Sequence, residues 1–246
     1  MTAVVLAAGE SKRMGSVTPK VLLPINGRPL LSYTIDAVRE AGLKRIIVVV
    51  GNAWRQIEAI FPDSDMEFAV QAEQRGTADA LLSCRDLLGD NEECMVLCGD
   101  TPLLTGRTIY RLVDAYQNSG ADIVVLTARL ENPFGYGRIV RGADGNVEEI
   151  IEERDAPRGV KKTTEVNAGV YVFCWGRLRP VLECIRPSSV SGEYYLTDAV
   201  RMIRSSGGQV AAVIAEDPKE ILGVNTQEQL AEVRSEVGRR SFREQV

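Results

Sequence analysis

The stretch Ala3-Val4-Val5-Leu6-Ala7-Ala8-Gly9-Glu10-Ser11-Lys12-Arg13-Met14 decides how this chain is read. The apolar run from Ala3 to Ala8 has the length and continuity of a strand buried on both faces. A turn of small residues follows it, so backbone N–H groups can come close to a ligand. Two cations come next, Arg13 and then Lys20 in Pro19-Lys20. Backbone donors with flexible cations suit a triphosphate. The plainer alternative is a tight turn carrying solvated charges. The stretch is not a dinucleotide fingerprint, because G-x-G-x-x-G is missing, and it is not a P-loop, because G-x-x-x-x-G-K-[ST] is missing.

Outward from that strand the chain alternates. Leu31, Ile35 and Val38 mark a helix stopping near Gly42, and Arg45–Val50 reads as a second buried strand. Met66–Gln71 is a third strand, Ala78, Leu81 and Leu82 begin a helical face, and Cys94–Cys98 is a fourth strand. Ile109, Leu112, Val113 and Tyr116 recur at i, i+3, i+4, i+7 before Gly120, and Asp122–Thr127 is a fifth strand. This alternation predicts an α/β fold: a Rossmann-like three-layer α/β/α architecture with a mixed, mostly parallel sheet. The second half changes texture. Arg138–Arg141, Val147–Glu153 and Glu165–Cys174 read as strands of a small antiparallel extension carrying substrate contacts. Helices follow around Leu178–Ile185 and Leu196–Ile203, then a strand at Gln209–Ile214. Residues 1–226 are expected to form one domain, and 227–246 a terminal helix with Leu230, Val233 and Val237 on one face and Arg239, Arg240 and Arg243 near its end. No internal repeat and no low-complexity linker interrupts the order.

Composition narrows the chemistry. The 246 residues carry 29 Lys+Arg against 34 Asp+Glu, a net charge of −5, which gives no argument for a nucleic-acid partner. There is no histidine. That removes Ser-His and Cys-His nucleophiles, His metal ligands and His general bases. Carboxylates, amides, Lys/Arg, backbone groups or a bound metal must do the work. The 5 cysteines show no metal spacing and read as free thiols in a reducing, cytoplasmic compartment. No apolar run approaches the ~20 residues of a membrane span, and the first residues lack the basic start of a signal peptide.

Two further motifs carry chemistry. In Cys98-Gly99-Asp100-Thr101-Pro102 an Asp sits just past the end of a buried strand, at the edge where open α/β sheets bind ligands. A carboxylate there can hold Mg²⁺, a hard cation that takes oxygen ligands and phosphates; alternatively Asp100 caps the helix starting near Gly106. In Gln71-Ala72-Glu73-Gln74-Arg75-Gly76-Thr77-Ala78-Asp79-Ala80, Gln71 offers a donor and an acceptor in one plane for a base edge, and Gly76 allows close backbone approach. Gly-Thr before a helix is also an ordinary N-terminal cap.

These segments, with NPFGYGRIVR, EERDA, EVNAGVYV, GEYYLTD and GVNTQEQL, occur in the order seen in the sugar-phosphate nucleotidyltransferases. From residue 3 to about 230 the chain resembles the uridylyltransferase (pyrophosphorylase) domain of the bacterial GlmU family most closely. The resemblance implies transfer of UMP from UTP to N-acetylglucosamine 1-phosphate, with Mg²⁺ as cofactor and no nucleic-acid or membrane partner. It implies that Leu6, Ala7, Ala8 and Gly9 contact uridine through backbone, and that Gln71, Gly76 and Thr77 read the uracil. Arg13 and Lys20 would hold the triphosphate, and Asp100 and Asn225 the metal, with Cys98 and Gly99 beside them. Gly137, Glu152 and Asn167 would grip the amino sugar, with Tyr195 and Thr197 on the sugar-phosphate side. The chain departs from the family pattern at Ser11, where a second Gly is usual, at Cys98, where Tyr is usual, and at Ala168, where Thr is usual. Those departures keep two alternatives open: another NTP or sugar 1-phosphate, and a non-catalytic nucleotide-sugar-binding regulatory subunit. Full-length family members continue into a hexapeptide-repeat β-helix that performs acetyl transfer. This chain shows no such repeat, so acetyl transfer is not expected. The oligomeric state is left undetermined.

Overall fold

The computed structural model describes residues 1–9, 18–52, 54–62 and 66–244. A sheet with the path β11-β7-β10-β6-β1-β4-β5 forms its centre. Its strands are β1 (Thr2–Leu6), β4 (Arg45–Val50), β5 (Met66–Val70), β6 (Glu93–Cys98), β7 (Ile123–Arg129), β10 (Glu165–Cys174) and β11 (Val210–Ile214). β1 pairs in parallel with both β4 and β6, β4 with β5, and β11 with β7. Only β10 runs against its neighbours on this path.

Alternation along the strands explains the two covered faces. Ala3 and Val5 of β1 and Ile46, Val48 and Val50 of β4 enter one core, with Leu31, Ile35 and Val38 of α1 (Leu30–Glu40) and Ile109 and Leu112 of α4 (Gly106–Ser119). Ile57 of α2 (Trp54–Ile60) joins the same core. Val4, Ile47 and Val49 point the other way. They meet Leu81 of α3 (Thr77–Leu82), Leu178 and Leu182 of α5 (Trp175–Cys184), and Val200 and Ile203 of α6 (Asp198–Ser205). Because both faces are buried, continuous Val/Ile runs are what the strands require.

One assignment needs correcting. The segment Glu165–Cys174 does not belong to the antiparallel extension; as β10 it is inserted between β6 and β7. It is apolar on both faces, with Val166, Ala168, Val170 and Val172 in one core and Tyr171 and Phe173 in the other, so only a central position buries it fully. The extension is the hairpin β8 (Arg138–Arg141) and β9 (Val147–Ile151), joined to β10 through Arg138 and Val166. Two elements were not expected from the sequence: α2, and the small hairpin of β2 (Pro24–Ile25) and β3 (Arg28–Pro29). The helix α7 (Gln227–Glu244) lies on a third cluster, where Leu230, Val233 and Val237 pack with Ile25, Leu30, Leu103 and Val224.

Candidate active site

The site lies at the C-terminal edge of the parallel strands. Leu6 and Cys98 end β1 and β6 in register, and the Gly99 N–H donates to Leu6 O at 2.9 Å. Past β1 the chain is held on both sides: the Ala7 N–H donates to Val49 O at 2.8 Å, and Ala8 O accepts from Gln74 Nε2 at 2.6 Å. Gly9 follows, with the Lys20 stem beside it. Arg13 and Ser11 lie outside the described residues.

Lys20 opens a short 3₁₀ turn, Lys20–Leu22, directly after Pro19. Its ammonium donates to the Asp100 carboxylate and, at 2.9 Å, to Asn225 Oδ1. The Lys20 and Asp100 side chains are each only 14% exposed. The backbone adds a further tie, because the Val224 N–H donates to Asp100 O at 2.9 Å. Asp100 is not the cap of α4; Thr105 is, and Glu220 accepts from both its hydroxyl and its N–H. Two oxygens from distant segments therefore converge on one cation position, taken here by an ammonium. Among the described residues no group of three His, Cys, Asp or Glu side chains could hold a metal. Two protein oxygens still fit Mg²⁺, which keeps several waters and takes phosphate oxygens for the rest.

Beside this point opens a cavity of about 370 Å³. Leu6, Thr77, Gly137, Asn167, Thr197 and Asn225 are among its walls, as are Cys98, Asp100 and Glu152. On the same lining Glu152 Oε1 accepts from the Thr197 hydroxyl at 3.0 Å. Burial raises the Glu152 carboxyl above its ordinary value, Glu193, Asp155 and Asp198 push the same way, and Thr197 opposes them. Asn167 is committed to the fold: its Nδ2 donates to the Tyr171 hydroxyl at 2.7 Å, and its Oδ1 accepts from the Gly169 N–H at 3.0 Å. That second bond sits in a break of register between Asn167 and Tyr171, where Gly169 has φ +73°. A left-handed residue is what the bulge needs, and glycine supplies it without strain. Burial, with the Asp100 charge adding to it, pushes the Cys98 thiol up to about 12, so it faces the cavity as a neutral S–H.

The expected uracil side is more deeply built in than its sequence implied. Gln71 is buried, and its Nε2 donates to Asp79 Oδ2 at 2.8 Å and to Gly76 O at 3.2 Å. The close approach that Gly76 permits is to the chain's own backbone. Its φ is +125°, and a Cβ there would lie 2.5 Å from Tyr194 O. Around it the Tyr194 N–H donates to Arg75 O, the Ala78 N–H to Tyr194 O, and the Leu196 N–H to Thr77 Oγ1 at 2.9 Å. Tyr195 is turned aside, its hydroxyl donating to Ser191 Oγ at 2.7 Å, and it is not a wall of the cavity.

The structure adds walls that were not picked from the sequence: Phe134, Tyr136, Tyr171, Ile221 and Gln229. Phe134 and Tyr136 sit inside the quoted NPFGYGRIVR segment, and Gln229 inside GVNTQEQL, so the signal was present. Their role emerges only from where the loops meet. Gln74, which fixes Ala8, lies within the Gln71–Ala80 motif.

Residues 3–245 match the family described as the MobA-like NTP transferase domain. Among curated proteins the chain is 40% identical over 240 residues to the "Bifunctional protein GlmU" of Caldanaerobacter subterraneus subsp. tengcongensis, covering 98% of this chain and 52% of that one. It is 44% identical over 241 residues to the protein of the same name from Pelotomaculum thermopropionicum, again 98% and 52%. The chain thus spans about half the length of the curated relatives it matches. A crystal structure of UDP-glucose pyrophosphorylase complexed with UDP-glucose superposes with a TM-score of 0.78 at 19% identity, covering 97% of this chain and 98% of that one. At that identity the likeness concerns the fold, a nucleotide-diphospho-sugar transferase architecture.

Proposed function

The chain belongs to the MobA-like NTP transferase family, and on that premise we propose that it transfers UMP from UTP to N-acetylglucosamine 1-phosphate, releasing pyrophosphate. The observation that carries the reading is the convergence of Asp100 and Asn225 on one cation position in the wall of a cavity that Glu152 and Thr197 also line. The cation position suits a charged triphosphate and the Glu152–Thr197 pair a polyhydroxylated ring.

The reaction needs no histidine. A phosphate oxygen of the sugar 1-phosphate is already anionic. It attacks the α-phosphorus of UTP, a new P–O bond forms, and the bond to the β-phosphate oxygen breaks with its electron pair leaving on pyrophosphate. Nothing must be deprotonated, so the protein's task is positioning and charge stabilisation. Lys20, once released from Asp100 and Asn225, reaches the phosphates, with Arg13 as the second cation. Asp100 and Asn225 would hold the divalent ion, Mg²⁺ in this reading, which when bound supplies neutralisation of phosphate charge. Gln71, Gly76 and Thr77 shape the uracil side beside the backbone of Leu6 to Gly9, and Gly99 sets the spacing between β1 and β6. Gly137, Glu152 and Asn167 frame the sugar side, and Thr197 orients Glu152; Tyr195, turned to Ser191, has no direct part in that wall. The reading includes a cytoplasmic location, supported by five free cysteines. Among the described residues no helix is long and apolar enough to cross a membrane.

A second reading keeps the chemistry and changes the sugar. It is favoured by Cys98 and Ala168, two small side chains on the cavity wall. The test is pyrophosphate release from a panel of NTPs and sugar 1-phosphates with Mg²⁺. UTP with N-acetylglucosamine 1-phosphate is expected to lead. A higher kcat/KM with another sugar 1-phosphate establishes the second reading. No release from any pair, despite tight nucleotide-sugar binding, replaces both with a regulatory role.

A further inference from the structure

Asn225 is one of the two oxygens at the cation position, yet it stands on a turn between Val224 and the start of α7. Its orientation depends on what holds that turn. On one side the Val224 N–H is fixed to Asp100 O at 2.9 Å. On the other, two backbone N–H groups end on a single side-chain atom. Gln229 Oε1 accepts from the Asn225 N–H at 2.7 Å and from the Thr226 N–H at 3.1 Å. The Gln229 N–H returns a bond to Thr226 Oγ1 at 3.3 Å.

Thr226-Gln227-Glu228-Gln229 is therefore a reciprocal cap of the T-x-x-Q kind. Such a cap needs only the N–H of its first residue. Here the same oxygen takes a second N–H, one residue further out, and that residue is Asn225. Two converging donors also fix which end of the Gln229 amide is oxygen. The base of the arrangement is rigid, because the adjacent Leu230 is buried against Ile25, Leu30 and Leu103. Gln229 itself lies on the cavity wall.

We propose that Gln229 is a positioning residue for nucleotidyl transfer: its carboxamide oxygen holds the Asn225 backbone so that Asn225 Oδ1 and the Asp100 carboxylate meet at one cation. The proposal rests on the functional reading of this site given above. Without the Gln229 oxygen, the Asn225 N–H loses this bond and the turn relaxes, while Asp100, Lys20 and the helix remain in place.

The test compares Gln229→Leu, Gln229→Met, Gln229→Glu and Thr226→Ala in the full chain, with folding checked by circular dichroism and thermal melting. The probe is Mn²⁺ titrated by electron paramagnetic resonance in the presence of UTP and without sugar 1-phosphate, so no turnover enters. Removing a group that orients a metal ligand lowers metal affinity by roughly 10–100-fold. Gln229→Leu and Gln229→Met are expected to weaken Mn²⁺ about tenfold. Gln229→Glu, which keeps an acceptor for both N–H groups, should stay within about twofold of wild type. Thr226→Ala loses the returning bond but leaves Gln229 on Asn225; it should melt earlier yet bind Mn²⁺ within about twofold. A role in helix capping alone would make Thr226→Ala and Gln229→Leu alike in both measurements, and that result overturns the proposal. So does wild-type Mn²⁺ affinity in a folded Gln229→Met. Failure of the wild type itself to bind Mn²⁺ with UTP would instead sink the functional reading of the site, and the proposal with it.

Discussion

The Lys20 ammonium donates to Asp100 and Asn225, the two residues proposed to hold a divalent ion, so removing it exposes what the site needs. In Lys20→Met the stem remains and the charge goes. The Asp100 carboxylate, only 14% exposed as a side chain, then loses its counter-charge. Breaking a largely buried ion pair from one side costs about 3 kcal/mol at the lower end of the usual range. For a chain of this size each kcal/mol moves the melting temperature by roughly 2–4 °C, so the variant in EDTA should melt about 6–12 °C below wild type. Mg²⁺ alone should then restore part of the loss. Ion at ten times its dissociation constant returns about 1.4 kcal/mol, or roughly 3–6 °C. Wild type, whose site already holds a cation, should respond far less to the same Mg²⁺. The assay is differential scanning fluorimetry of both proteins across a Mg²⁺ series, with Ca²⁺ as a second ion. If Lys20→Met melts within 2 °C of wild type in EDTA, or if Mg²⁺ lifts both proteins equally, then the ammonium is not standing in for a metal and the argument fails.

Three other outcomes follow from the same geometry. Asp100→Asn keeps the shape but removes the negative charge, and should lower kcat by about a hundredfold, the scale of one lost transition-state charge contact; near-wild-type turnover would remove Asp100 from the metal set. Gly76→Ala forces a Cβ to within 2.5 Å of Tyr194 O at a φ of +125°. It should destabilise the fold by about 3 kcal/mol or more, read as a loss in urea midpoint, and a loss below about 1 kcal/mol would contradict the packing described. Glu152 gives a pH effect. Its carboxyl is raised above the ordinary 4.5, so on acidification it takes a proton earlier than an exposed glutamate. Between 4.5 and its raised value the folded state binds the proton more readily than the unfolded chain, so this group adds stability as pH falls. KM for the sugar 1-phosphate should nevertheless rise there, because a neutral carboxyl accepts more weakly. The substrate phosphate titrates near pH 6 as well, so the informative quantity is the difference between wild type and Glu152→Gln; identical acid limbs would exclude Glu152 from sugar binding.

Much of this architecture is legible in the sequence. Buried parallel strands announce themselves by continuous Val/Ile runs, and β1, β4 and β6 did so. The misplacement of β10 has an equally physical origin. Its residues are apolar on both faces, which marks a central strand, but chain order set it after β8 and β9 and so suggested an extension. Sequence order does not state which gap in a sheet a late strand will fill. Of the candidate site residues, Asp100 and Lys20, each picked from a single motif, are brought into contact. The site is less legible where two loops act on each other. Nothing in GVNTQEQL says that Gln229 turns its oxygen back on Asn225, since that depends on where α7 docks. Gln71 and Gly76 show the converse: residues picked for a ligand also serve the fold, with the Gln71 donor on Asp79 and the Gly76 backbone against Tyr194.

That double use bears on how the Gln71–Ala78 segment and the Glu152 wall are coupled. The Arg75–Ala78 segment leads into α3, beside the residues proposed to meet uracil, and the Tyr194–Thr197 segment leads into α6, beside those proposed to meet the sugar. They are joined by two backbone bonds and by Thr77 Oγ1 accepting from the Leu196 N–H. Thr197, next along, donates to Glu152. If the proposed nucleotide site is right, a shift of the Arg75–Ala78 loop on nucleotide binding would be passed through these bonds toward Glu152, with Thr77 as the side-chain link. Binding energy from the nucleotide base would then help set the position of Glu152 before the sugar arrives. Such an assembly would be ordered, with remote contacts orienting the acceptor. Thr77→Val, which keeps the shape and removes the acceptor, isolates that link. It should raise KM for the sugar 1-phosphate several-fold, and by more than it weakens UTP binding measured by calorimetry. An equal loss in both would mean that Thr77 serves the uracil side alone, and the two segments would have to be treated as independent.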